Sequence, residues 1–135
     1  MELIVKRAFA TVYVVDDDDG VRESLRALLE AHGFVVEDFS SSDDFIARYD
    51  GRPHGCLILD LHLPRSGGMV VLENLRKTIG TTLPVLLITG HGGRATRAFV
   101  LNAGADAYLD KPFDSDVLLV IVRDLLDRSL STISP

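Results

Sequence analysis

Cys56 is the only cysteine in 135 residues, so no disulfide can close within the chain, and this usage fits a reducing compartment. Basic residues are in deficit. Fourteen Lys and Arg against twenty Asp and Glu leave a formal charge of −6 at pH 7. That balance argues against a nucleic-acid surface, which needs a basic stripe to neutralise phosphates. Long apolar runs are also missing. The longest aliphatic run, Val117 to Val122, falls far short of the roughly 18 residues of a membrane-spanning helix. The first ten residues place Lys6 and Arg7 after their apolar residues, the reverse of a secretory signal. No repeat or low-complexity tract appears. Together these absences point to a cytoplasmic chain that touches neither membrane nor nucleic acid. At 135 residues it has room for one domain and no second.

What is present alternates between short aliphatic runs and helical patterns. Thr11 to Val15 is a β-rich run that stops at four aspartates, Asp16 to Asp19. Val21, Leu25, Leu28 and Leu29 then recur at helical spacing, closed by Gly33. Phe34 to Phe39 reads as a second strand, and Ser40 to Ser42 offer caps for a short helix buried through Phe45, Ile46 and Tyr49. A third strand, Cys56 to Leu59, ends at Asp60. A third helix carries Val71, Leu72, Leu75 and Ile79 after the turn residues Pro64 to Gly68. Pro84 to Ile88 is a fourth strand ending at Thr89. A weaker helix from Arg94 to Ala103 offers only Ala95, Ala98 and Phe99 as a buried edge. Asp106 to Leu109 is a short fifth strand, and Val117, Leu118, Ile121, Val122 and Leu125 stripe the last helix. From Ser129 to Pro135 the periodicity stops, which predicts a domain over residues 1–128 and a tail or linker over 129–135. Strands without strict polar alternation imply a parallel α/β sheet covered on both faces.

In such a sheet, ligands sit at the carboxyl ends of the strands. Here those ends carry Asp16 and Asp17, Asp60, Thr89, and Lys111 before Pro112. Asp18 and Asp19 are accounted for as helix caps that favour the N-terminal dipole. Asp16, Asp17 and Asp60 are not. Two unit charges about 4 Å apart repel by roughly 1 kcal/mol in water, and by about 4 kcal/mol at an effective dielectric constant of 20. Three carboxylates on one rim make sense with a cation among them, and an all-oxygen site with few protein ligands suits Mg²⁺. The acidic run is no calcium loop: Gly20 at position six would put Arg26 at position twelve, where a glutamate is needed. His54, Cys56 and His62 are too sparse for zinc.

Val14-Val-Asp-Asp17, Leu57-Ile-Leu-Asp60-Leu-His-Leu-Pro64, Ile88-Thr-Gly-His-Gly92 and Asp110-Lys-Pro-Phe113 together resemble the receiver (CheY-like) domain of response regulators. Within that family, Thr89 to Gly92 and Lys111 to Phe113 look most like the FixJ-type branch. The resemblance runs from about Ala10 to Leu126. It implies a (βα)5 flavodoxin-like fold: a five-stranded parallel sheet with strand order 2-1-3-4-5 and helices on both faces. Asp60 would take a phosphoryl group from a sensor histidine kinase. Asp16, Asp17, Asp60 and the backbone carbonyl of His62 would hold Mg²⁺, while Thr89 and Lys111 would bind phosphoryl oxygens. Tyr108 would be the aromatic whose rotamer follows Thr89. Gly90 leaves room beside the phosphoryl group, and His62 and His91 occupy flanking positions that tune hydrolysis in related domains; both are equally readable as solvated loop histidines. Phe9 and Phe113 read as packing residues, and Lys111-Pro112 as a cis peptide. The domain would then be a signalling switch and not an enzyme, passing its state to an effector domain or a partner protein. FixJ-type receivers often pair through the fourth-helix and fifth-strand face.

Two rivals remain. Asp17-Asp-Asp19-Gly-Val21 also fits the pattern of Mg²⁺-dependent haloacid-dehalogenase-like phosphohydrolases, with Asp17 as nucleophile. Those enzymes are usually longer, carry a cap, and have no need of Asp60. A receiver-like module that never takes phosphate usually lacks an acidic, hydroxyl or lysine position, and all are present here.

Overall fold

A computed structural model describes residues 10–63, 67–90 and 92–131, the last of these by its backbone alone. Phe9, Pro64, His91 and the final four residues therefore lie outside the described residues. The order is β1 (Thr11–Val15), α1 (Asp19–Ala31), β2 (Val35–Phe39), α2 (Ser42–Arg48), β3 (Gly55–Asp60), α3 (Gly67–Glu73) with a π-helical continuation (Asn74–Ile79), β4 (Val85–Thr89), α4 (Arg94–Asn102), β5 (Ala107–Asp110) and α5 (Ser115–Ser131). The five strands are parallel in the order β2-β1-β3-β4-β5, the arrangement the resemblance implied. Among the described residues no helix is long and apolar enough to cross a membrane.

Because strand side chains alternate, each central strand supplies two layers. Val12, Val14, Ile58, Leu86 and Ile88 pack with Leu25 and Leu29 of α1 and Leu118, Val122 and Leu125 of α5. Leu57, Leu59, Val85 and Leu87 pack on the other side with Phe45, Leu72, Leu75 and Val100. β3 and β4 are wholly buried, hence their unbroken apolar runs. Edge strand β2 instead alternates, with Val35 and Glu37 outward. Asp18 caps α1 by accepting from Val21 N–H at 3.1 Å, and Ser41 caps α2 through Asp44 N–H at 3.2 Å.

Three expectations about helix faces need correcting. In α4, Ala95 and Ala98 are exposed and Phe99 is 64 % exposed; Val100 is the one fully buried side chain of that helix. The helix is turned so that Val100, with half-buried Leu101, packs into the layer of Leu57, Val85 and Leu87. In α5, Val117 is 46 % exposed, while Leu119 and Leu126 join the core. The end of the π-helical stretch leaves Ile79 exposed, and Gly80 closes it at φ 75°. The chain also stays ordered beyond residue 128. Leu130 is buried, and the buried Ser129 hydroxyl accepts from Gly55 N–H at 2.8 Å, tying the end of α5 to the start of β3.

Candidate functional site

The strand order reverses at β1, so the carboxyl ends of β1 and β3 flank a crevice. Asp16 follows β1 and is fully buried; Asp60 closes β3 and is 6 % exposed; Asp17 is exposed at the mouth. One oxygen from each of the three lies within 4.8 Å of the others. From β5, Lys111 reaches across, with Nζ 3.1 Å from Asp16 Oδ2 and 3.6 Å from Asp60 Oδ2. Backbone amides hold the remaining oxygens: Asp18 N–H donates to Asp16 Oδ1 at 2.9 Å, and His62 N–H donates to Asp60 Oδ1 at 3.0 Å. The Asp16 and Asp60 carboxylates are thereby aimed by backbone amides.

Burial pushes the Asp16 carboxyl above its ordinary range, and the charge of Asp60 adds to this. The Asp18 N–H and Lys111 pull the other way without cancelling it. For Lys111, burial works against the ammonium but is outweighed by its bond to Asp16 and the charges of Asp16 and Asp60, so its affinity for the proton rises. One ammonium thus faces two largely buried carboxylates, with a third at the rim. The donor set is all oxygen, clustered and under-neutralised, which suits a small hard divalent cation.

Thr89 ends β4, fully buried, beside Asp110 in the β4–β5 register. Its carbonyl accepts from Lys111 N–H at 2.7 Å, so the hydroxyl-bearing and ammonium-bearing residues are joined through the backbone. The Lys111-Pro112 bond is cis, as expected, and Phe113 packs partly buried against the core. A side chain at Gly90 would meet nothing within 4 Å, so there is open space beside the rim. The His62 side chain is exposed. Gly68, which opens the first turn of α3, donates to Leu61 O at 2.8 Å. A Cβ there would lie 2.6 Å from Asp60 O and 2.8 Å from Leu61 Cα, so only glycine lets α3 press on the loop after Asp60. Tyr108 is 7 % exposed and turned inward, its hydroxyl on Asp110.

Sequence reasoning passed over two groups. Asp110 was seen only as part of a motif, yet it holds Tyr108. Arg76 ties distant segments together: its guanidinium donates to Gly104 O at 3.0 and 3.1 Å, Thr81 O at 3.1 Å and Asp106 Oδ2 at 3.0 Å. Asp106 Oδ2 in turn accepts from Val85 N–H at 2.8 Å. Nothing in local spacing marks a pair 30 residues apart.

An α/β sheet with a buried acidic crevice at its switch point, and a lysine bridging it, defines a phosphoryl-handling domain of the doubly wound class. The model of the response regulator receiver domain family matches residues 12–123, and the chain belongs to that family, the receivers of two-component signalling. It is 44% identical over 121 residues to the response regulator MprA of Mycobacterium avium, covering 87% of this chain and 51% of that protein. It is 36% identical over 118 residues to the transcriptional regulatory protein FixJ of Azorhizobium caulinodans, covering 87% of this chain and 56% of that protein. The chain thus spans about half the length of these curated relatives. Among solved structures, the receiver domain protein (CheY-like) of Methanospirillum hungatei superimposes with a TM-score of 0.78 at 28% identity, over 91% of this chain and 98% of that one. These matches favour the receiver over the phosphohydrolase reading, in which Asp17 would be the nucleophile.

Proposed function

We propose that this domain is a phosphoacceptor switch in which Asp60 receives a phosphoryl group from the phosphohistidine of a sensor histidine kinase. The observation that carries it is the cluster of Asp16, Asp17 and Asp60 under Lys111. In the transfer, the phosphorus–nitrogen bond of the donor breaks as an Asp60 carboxylate oxygen bonds to phosphorus; the imidazole leaves with the electron pair and takes a proton from water. Asp16, Asp17, Asp60 and the His62 carbonyl would hold Mg²⁺, which when bound neutralises charge on the phosphoryl oxygens. Lys111 supplies a second positive charge, and Thr89 offers a hydroxyl to another oxygen. His62 N–H keeps the acceptor carboxylate oriented. Positioning and charge neutralisation are the bulk of what phosphoryl transfer requires.

The output runs through Thr89 to Tyr108 and the surface formed by α4, β5 and α5. α4 is held by one fully buried side chain, which makes it the element most readily repacked. Effector domains or partner proteins read that surface, in the cytoplasm. Gly90 and the side chains of His62 and His91 set the phosphoryl lifetime. The test is incubation with acetyl phosphate and Mg²⁺ followed by intact mass measurement. One phosphoryl group should be added to the wild type and none to Asp60→Asn. Undiminished labelling of Asp60→Asn, or labelling lost only in Asp17→Asn, refutes the assignment.

A further inference from the structure

Tyr108 is turned inward, and its hydroxyl is held by two partners. It donates to Asp110 Oδ1 at 2.7 Å and accepts from Gly93 N–H at 3.3 Å. Tyr108 and Asp110 lie two residues apart on β5, so both side chains leave the same face of the sheet. The third component is a clearance. A Cβ at Gly92 would overlap both Tyr108 Oη and Asp110 Oδ1 and would lie 2.8 Å from Tyr108 Cζ. At Gly90 and Gly93 the same atom would meet nothing within 4 Å, so the constraint in this glycine-rich loop belongs to Gly92. Two different side chains thus converge on the space that one glycine leaves empty. The ring belongs to the core layer on that face of the sheet, to which α4 contributes only Val100 as a fully buried side chain, while the hydroxyl is placed by Asp110 and Gly93.

We propose that Asp110 is a latch for Tyr108, with Gly92 as its clearance, and that this pair sets the resting position of the tyrosine before Asp60 is modified. The consequence for signalling rests on the proposed role of Tyr108 as the switch residue; the latch itself does not. A tyrosine held inward at rest changes what phosphorylation has to do. Moving Thr89 then need not draw Tyr108 in from solvent. It instead stabilises a rotamer that Asp110 already favours, and the strength of the Asp110 bond sets how far the unmodified domain resembles the modified one. Asp110 is therefore a positioning residue acting through Tyr108, and its backbone lies beside Thr89 in the strand register, where both elements of the switch meet.

The experiment uses the whole chain with ¹³C-labelled tyrosine rings, in wild type, Asp110→Ala, Asp110→Asn, Gly92→Ala and Gly90→Ala. Tyr108 is assigned by Tyr108→Phe against Tyr13 and Tyr49. Ring exposure is read by relaxation from a soluble gadolinium chelate, without and with beryllofluoride and Mg²⁺, and amide spectra verify folding. The wild-type Tyr108 ring should be protected without beryllofluoride. Asp110→Ala should shift the inward-to-outward ratio at least tenfold, equivalent to 1.4 kcal/mol. Asp110→Asn, which keeps an acceptor, should shift it less. Gly92→Ala should expose the ring, and Gly90→Ala should leave it protected. If Gly92→Ala fails to fold, the two Asp110 variants decide the matter. A ring still protected in Asp110→Ala, or already exposed in the unmodified wild type, overturns the latch. Acetyl phosphate labelling of the same samples separates the two ideas: a wild type that takes no phosphoryl group refutes the switch assignment, while ring protection continues to judge the latch.

Discussion

Replacing Lys111 by methionine tests how the crevice is balanced. The substitution keeps an apolar stem of similar length and removes the one ammonium 3.1 Å from Asp16 and 3.6 Å from Asp60. At an effective dielectric constant of about 20, each pair is worth about 5 kcal/mol of direct attraction. Most of that is offset by the cost of desolvating the ammonium, whose side chain is 23 % exposed. Removing one partner of a buried pair typically leaves a net loss of about 3–5 kcal/mol, and we expect about 3 kcal/mol here, since Asp17 stands at an open mouth that admits water. A domain with about 5–15 kcal/mol of stability survives this, so urea denaturation can measure it.

Two further conditions make the test specific. Burial holds the Asp16 carboxyl above its ordinary range, so the folded state keeps a proton at a pH where the unfolded chain has released it. Stability from this source is fully present below the ordinary carboxylate range and is lost as pH rises through the folded value. Without Lys111 that dependence should steepen, so the deficit of Lys111→Met should shrink between pH 7.5 and pH 4.5. Mg²⁺ stabilises both proteins by mass action, so it narrows the deficit at pH 7.5 only as far as loss of the ammonium tightens its binding; binding tightened about tenfold recovers about 1.4 kcal/mol at saturation. A deficit that stays the same at both pH values and with saturating Mg²⁺ would show that Lys111 is a packing residue and refute the charge balance.

Asp17→Asn should weaken Mg²⁺ binding at least tenfold while leaving the metal-free domain as stable or more stable, because an exposed carboxylate leaves the acidic cluster; unchanged Mg²⁺ affinity by titration calorimetry would remove Asp17 from the site. Arg76→Ala should cost about 2–4 kcal/mol, since it strips partners from Thr81 O, Gly104 O and Asp106; a loss under about 0.5 kcal/mol in urea would contradict its role as a staple. Burial, with the charge of Asp106 adding, pushes the Cys56 thiol up to about 12 from its ordinary 9.0. A thiol reagent at pH 8 should therefore label it only through unfolding, and labelling as fast as free cysteine would refute this. The same shift predicts stability falling as pH rises from about 9 toward 12, because the unfolded thiol ionises first.

The fold was legible because its signals are local. β3 and β4 are buried on both faces, so their apolar runs need no partner to be recognised, and each ends on its chemical residue. Asp18 and Ser41 act as caps within their own turns, where neighbouring side chains and amides meet without tertiary help. The weak helix α4 was located but its face was misjudged. Ala95, Ala98 and Phe99 make a plausible stripe, yet a helix this short takes its rotation from the sheet beneath it, and the layer of Leu87 and Tyr108 selected Val100.

By itself, then, the order of residues determined the alternation of strands and helices and the placing of Asp16, Asp17, Asp60, Thr89 and Lys111 at strand ends, since periodicity and chain direction settle both. Tertiary structure alone decided which partner each of them has. Lys111 meets Asp16 across 95 positions, Arg76 meets Asp106 across 30, and Gly55 N–H finds Ser129 across 74. Tyr108 and Asp110 are near neighbours in sequence, but their bond depends on the space left at Gly92, sixteen residues before Tyr108. Such contacts carry no period, because they are set by how packed layers bring distant strand ends and loops within a few ångströms of one another.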